Sequence, residues 1–265
     1  MSLPIYSAIN SNVEFLKGKT LVVPVVSVAN IAQLAVDLLI ASLGLKRIGI
    51  LDSSYLIPVI GPRDDGEAGF TTPLELYGKE GLDVVFIQQR SPAMKEQKQE
   101  FVDLLMTFVR DYKIGALLLL AGVDLSNRSD AQMSSSTYKI NLKRSPNLES
   151  TPLSKVSSLP TYSFAPAQHS PTKETSSTDA PFIPGGGLTR RILSTLSSTD
   201  STITHVPTAC ILQFVLEGDN RGDAVYFARA VAELLSIDRH VVAWKQPSSW
   251  AAGLFGTTHD QSLYG

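Results

Sequence analysis

Three short stretches of this 265-residue chain carry residue types that could do chemistry. Gly185-Gly186-Gly187, followed by Thr189-Arg190-Arg191 at an expected helix start, offers backbone amides and two guanidinium groups that could hold an anion. The alternative is a tight turn in which Pro184 and the glycines fold the chain against the core. The turn is the simpler reading, because no strand leads directly into the glycines and Arg190 stands where the third glycine of a dinucleotide fingerprint belongs. Glu217-Gly218-Asp219-Asn220 ends an expected strand, where open α/β sheets place active sites, and its carboxylates could ligate a metal or act as a base. The same residues could cap the next helix, with Asp219 or Asn220 accepting from its first amides. Capping is preferred, since no companion His or Cys completes a site. Finally, Leu263-Tyr264-Gly265 sets an apolar residue and a tyrosine beside a terminal carboxylate, after a polar tether over residues 256–262. That combination suits insertion into a partner's pocket: the ring fills an apolar slot and the carboxylate meets a cation or backbone amides.

Other signals fail on context. Gly18-Lys19-Thr20 resembles the end of a phosphate loop, but Val13 occupies the required glycine position and the triplet precedes a strand instead of following one, so it is a surface turn. His169, His205, His240 and His259 lie far apart, and none falls at metal-ligand spacing. No Gly-x-Ser-x-Gly elbow nominates a serine nucleophile. The single cysteine, Cys210, sits in an apolar run and reads as a buried, inert thiol. No catalytic residue, metal ligand or cofactor is therefore expected.

The elements that must position these residues follow from periodicity. Val-rich Thr20 to Val28 predicts a strand buried on both faces. Asn30 is placed to cap a helix with a broad apolar face that Gly44 closes, and Arg47 to Leu51 is the next strand. This reads as a βαβ unit with a right-handed crossover. Tyr55 to Ile60 predicts a strand, Arg63 to Gly69 a loop, and Leu74 to Tyr77 with Leu82 to Gln88 an antiparallel hairpin. Ser91-Pro92 reads as the start of a helix running to about Tyr112, and Ile114 to Val123 as a central strand. Leu188 to Leu196 is a helix, Thr208 to Leu216 a strand, Gly222 to Ile237 a helix and Val241 to Trp244 an edge strand. The expected fold is α/β, a single three-layer domain over residues 1–256 with a mostly parallel central sheet, followed by a docking tail at 257–265.

Composition bounds the rest. A hydrophobic content of 43%, a charged content of 18% and a net charge of -2 describe an ordinary globular chain, and argue against an electrostatic nucleic-acid or membrane binder. No apolar run is long enough to span a bilayer, and the N-terminus lacks a secretory pattern, which points to the cytoplasm or nucleus. Residues 126–180 differ in character: 20 of the 55 are Ser or Thr and five are Pro, so a flexible insertion is expected, with Tyr162 and Phe164 as its contacts with the body.

Four separated blocks, in order, resemble the proteasome assembly chaperone 2 family. They are Leu21 to Leu39 (LVVPVVSVANIAQLAVDLL), Ile183 to Thr189 (IPGGGLT), Phe214 to Ala224 (FVLEGDNRGDA) and Trp244 to Trp250 (WKQPSSW) with Leu254-Phe255-Gly256. The resemblance implies a non-catalytic protein with a fold similar to nucleoside-phosphorylase-like enzymes. It also implies a heterodimer with assembly chaperone 1 that binds the outer face of the proteasome α-subunit ring. Leu263 and Tyr264 would then enter a cleft between α-subunits, and the Gly265 carboxylate would meet a lysine there. The alternative is a nucleoside- or nucleotide-processing enzyme, with Gly185 to Arg191 as its anion site and Glu217 or Asp219 as base.

Overall fold

A computed structural model describes residues 4–9, 13–142, 146–164, 181–198, 203 and 205–252. Its strands are β1 (Tyr6–Ala8), β2 (Thr20–Pro24), β3 (Lys46–Leu51), β4 (Gly61–Pro62), β5 (Phe70–Thr71), β6 (Leu74–Gly78), β7 (Val84–Gln89), β8 (Ala116–Asp124), β9 (Thr137–Ile140) and β10 (Thr208–Val215). Its α-helices are α1 (Ile31–Leu43), α2 (Lys98–Asp111), α3 (Gly187–Ser197) and α4 (Arg221–Leu234). Eight strands form one sheet in the order β1-β3-β6-β7-β2-β8-β10-β9, while β4 and β5 make a separate two-stranded ribbon. The central strands β7, β2, β8 and β10 are parallel, and the remaining neighbours pair antiparallel. Five strands of the eight (β2, β3, β7, β8 and β10) run one way, and the sheet is mixed but mostly parallel.

Alternation along the central strands divides the core. Leu21, Val23, Leu117, Leu119, Cys210 and Leu212 pack with α2 and α3 on one face. Val22, Leu118, Leu120, Ala209 and Ile211 pack with α1 and α4 on the other. Every residue of β2 and β10 is buried, which is why these strands are mostly apolar on both faces and do not alternate with exposed polar residues. The layers are helix, sheet, helix, as the sequence leads one to expect.

Several local expectations are corrected. β2 and β3 run parallel but are not neighbours, because the hairpin β6–β7 lies between them. Tyr55 to Ile60 forms no strand: Leu56 makes one isolated bridge to Ala93, and the Ile57 amide donates to the Pro92 carbonyl at 3.1 Å. Ser91 does not start the helix, since its hydroxyl donates to the Ile57 carbonyl at 2.6 Å and α2 begins only at Lys98, after a 3-10 turn. Asn30 is left-handed (φ 50°) and makes no side-chain cap. Val241 to Trp244 is not a strand, because β9 already occupies the sheet edge beside β10, and Val242 is 98% exposed.

The Ser/Thr-rich segment is also more structured than its composition implies. Residues 126–142 and 146–164 supply β9, a 3-10 turn at Ser154–Ser158, and the buried side chains of Tyr138, Leu153, Val156 and Tyr162. Phe164 packs against the core and against Phe182, with ring centroids 4.8 Å apart. Few apolar residues suffice here because each is spent on an existing core face. Residues 143–145 and 165–180 lie outside the described residues.

Cys210 is fully enclosed between the layers, and burial pushes its thiol up to about 12. The expected outcome is that native protein resists the thiol reagent DTNB at pH 8, with reaction appearing only as urea unfolds the chain; prompt native-state labelling would contradict this packing.

Candidate functional site

The carboxyl ends of β2, β8 and β10 meet the loop into α1. After β2 the Ser27 hydroxyl donates to the Val25 carbonyl at 3.0 Å and accepts from the Gly122 amide at 2.7 Å. A Cβ at Gly122 would sit 2.7 Å from the Val28 carbonyl oxygen, so only glycine lets this loop lie across β8. The next two residues, Ala29 (φ 57°) and Asn30 (φ 50°), are left-handed. Glu217, from the end of β10, accepts from the Ala29 amide at 2.9 Å and holds that turn. The residue considered as a base is thus a strut between two strand ends.

Its neighbours are similarly engaged. Asp219 accepts from the Arg221 amide at 3.3 Å and from its Nε at 2.8 Å, which is a capping turn at the start of α4. Hydrogen bonding from the Arg221 guanidinium holds the Asp219 carboxyl below its ordinary value, the wrong direction for a base at neutral pH. Asn220 occupies the N-cap position of α4, but its side chain donates to the Gly218 carbonyl at 2.8 Å and makes no cap bond.

The glycine run is the tight turn. Gly185 is left-handed (φ 70°), and a Cβ on Gly186 would lie 2.5 Å from Ile183 Cγ2. The guanidinium of Arg190 stacks over Phe182 at 4.9 Å, and that of Arg191 donates to Gln99 Oε1 at 3.2 Å, so each is occupied away from the glycine amides. Among the described residues, no group of three or more His, Cys, Asp or Glu side chains could hold a metal ion. His240 lies beside Arg239, at 3.3 Å, while His169 and His259 fall outside the described residues.

Sequence reasoning missed a buried polar seam. Asp37 of α1 accepts from Gln88 Nε2 at 2.6 Å and pairs with Arg90 at 3.0 Å, at the carboxyl end of β7. Burial raises the Asp37 carboxyl above its ordinary value despite Arg90 and Gln88. Farther along, fully buried Glu75 accepts from Arg47 at 2.5 Å, from the Thr72 amide at 3.0 Å and from the Tyr77 hydroxyl at 2.8 Å. The available signal was a lone acid inside an otherwise apolar segment, in IAQLAVDLLIASL and in LELYG. Asp37 and Arg90 floor a cavity of about 350 Å³, flanked by Lys46, Asp64 and Asp65 and bordered by Lys245 to Ser248.

The C-terminal segment is anchored beside that cavity. The Lys245 amide donates to Ser42 Oγ at 2.9 Å. Asp64 accepts from Ser248 Oγ (2.9 Å), the Ser249 amide (2.7 Å) and Ser249 Oγ (2.9 Å), and Trp250 is buried in the α1–α4 core. Leu263, Tyr264 and Gly265 lie outside the described residues, which end at Ala252.

The PAC2 family model matches residues 21–234, most of the chain and all of its central strands. The chain belongs to the PAC2 family. Among its relatives, proteasome assembly chaperone 2 of Homo sapiens is 30% identical over 94% of this chain and 96% of its own length. Proteasome assembly chaperone 2 of Danio rerio is 30% identical over 91% and 93%. The PAC2 fold is shared with two crystal structures from Pyrococcus furiosus. PbaA, an archaeal homologue of proteasome-assembly chaperone, superposes with a TM-score of 0.59 at 13% identity, covering 88% of this chain and 82% of its own. PbaB, an archaeal proteasome activator, superposes at 0.55 and 12%, covering 88% of each chain.

Replacing Asp64 with Ala removes three acceptor contacts and is expected to free the Ser248–Trp250 segment. The fluorescence of Trp250 should shift to the red and amide exchange at Ser249 should rise, with a stability loss of about 1–3 kcal/mol. Unchanged emission and exchange would show that Trp250 burial alone holds the segment.

Proposed function

We infer that this chain is a non-catalytic chaperone of 20S proteasome assembly. It pairs with assembly chaperone 1, and the heterodimer binds the outer face of the α-subunit ring and promotes its correct formation. The observation that carries this reading is family membership combined with near full-length similarity to proteins named proteasome assembly chaperone 2. The engagement of Glu217, Asp219, Arg190 and Arg191 in structural contacts favours it over a nucleoside- or nucleotide-processing enzyme. No cofactor or metal is needed, and the cytoplasm, with the nucleus, is the setting we assign.

In this reading the C-terminal tail docks. Leu263 and Tyr264 enter an apolar cleft between neighbouring α-subunits, and the Gly265 carboxylate pairs with a cation at its mouth. A charge-assisted contact of that kind contributes about 1.5–3 kcal/mol, whereas micromolar affinity takes about 8 kcal/mol, so the folded body must supply most of the binding. Joining tail and body in one chain raises the effective concentration of each contact once the other has formed.

Deleting Leu263 to Gly265 is expected to reduce co-purification with α-subunits at least tenfold while leaving pairing with assembly chaperone 1 intact. Equal recovery by full-length and truncated chains would remove the tail mechanism. Failure of the full-length chain to recover α-subunits at all would remove the chaperone assignment.

A further inference from the structure

The long connection between β3 and β6 leads apolar side chains into solvent. Ile57, Val59, Ile60 and Phe70 are four of the nine large hydrophobic residues exposed among the described residues, with Ile60 74% and Phe70 64% accessible. Exposed apolar side chains gathered in one connection are a feature that contact surfaces share. The loop is also held in place from several sides. Arg47 donates to the Phe70 carbonyl at 2.7 Å while bound to buried Glu75. Thr71 Oγ1 donates to the Gly61 carbonyl at 3.2 Å, Lys46 pairs with Glu67 at 2.9 Å, and Arg63 pairs with Asp65. In the ribbon β4–β5, Thr71 faces inward and Phe70 outward. Side chains presented on a pre-ordered support lose little freedom on binding, which lowers the cost of association.

The same loop is the anchor of the C-terminal segment, because Asp64 holds Ser248 and Ser249. The described chain ends three residues after Ser249, and eleven further residues reach Leu263. A span of that length cannot exceed about 40 Å even fully extended. A partner that captures the tail is therefore held within about 40 Å of the point where this loop anchors the chain.

We propose that Ile57, Val59, Ile60 and Phe70 form the body's contact with the same protein surface that takes the tail. The partner chemistry is an apolar cleft with a cation at its mouth for the tail, adjoining an apolar shelf for the loop. The proposal rests on the tail reading above for its choice of partner. It identifies where the larger share of affinity arises.

The test uses the full chain carrying Ile60→Asp and Phe70→Ser, co-expressed with assembly chaperone 1 and probed for α-subunits, beside the Leu263–Gly265 deletion. Both substituted side chains are mostly exposed, so the melting temperature should stay within a few degrees of the parent. Recovery of α-subunits should fall at least tenfold with chaperone pairing unchanged, and the combined variant should fall further. Parent-level recovery by the doubly substituted chain would overturn the proposal. So would loss of chaperone pairing with α-subunit binding retained, which would assign the patch to the heterodimer. A deletion without effect, beside a loop variant that loses α-subunits, would sink the tail reading and leave the loop contact standing. As a check on folding, Ile60→Ser alone should give a smaller loss in the same direction; a collapse of its melting temperature would contradict the exposed placement of Ile60.

Discussion

Burial of the central strands on both faces is the constraint on which the rest of the structure depends. β2, β8 and β10 carry apolar side chains on each side, and a sheet of this kind is stable only when helices cover both of its faces. α1 and α4 take one face, and α2 and α3 take the other. Parallel strands then require crossovers, and each crossover leaves a loop at a strand's carboxyl end. The polar residues of the loops collect there, whether or not any reaction takes place.

That geometry explains an enzyme-like arrangement whose candidate groups serve the architecture. Glu217 spends an oxygen on the Ala29 amide, Ser27 bridges to Gly122, and Asp219 is tied to Arg221. A strained backbone amide needs an acceptor, and a carboxylate from the end of β10, one strand beyond β8, is well placed to provide one. That Glu217 contact holds two left-handed residues, Ala29 and Asn30, at the entry to α1. Asp37 with Arg90, and Glu75 with Arg47, are similar cases inside the core, where each charge tolerates burial through its partner.

The two ends of the proposed contact surface differ in how they are supported. The loop between β3 and β6 is braced by Arg47, Thr71, Lys46 and Asp64, and the C-terminal segment is pinned to it through Ser248, Ser249 and buried Trp250. A rigid body beside a tether allows one contact to orient the complex while the other adds to its lifetime. On the proposed contact surface, the hydrogen bonds to Asp64 would act through placement, without touching the partner themselves.

The sequence by itself determined the central strands, the four α-helices to within a turn or so except at the start of α2, the β6–β7 hairpin and the inert character of Cys210, because these are set by residue periodicity and short-range sterics. Gly44 was legible as a helix terminus for the same reason, being left-handed directly after α1. Only the tertiary structure decided that a hairpin separates β2 from β3, that β9 takes the edge beside β10, and that Ser91 serves Ile57 instead of a helix end. It also decided the fate of the candidate site, since the Glu217–Ala29 and Asp37–Arg90 contacts join residues distant in the chain. Local sequence states what a residue can offer, and the partner that claims it is set by packing between distant segments. The composition of residues 126–164 misled for that reason: a few apolar side chains sufficed, because the core they join was built by the rest of the chain.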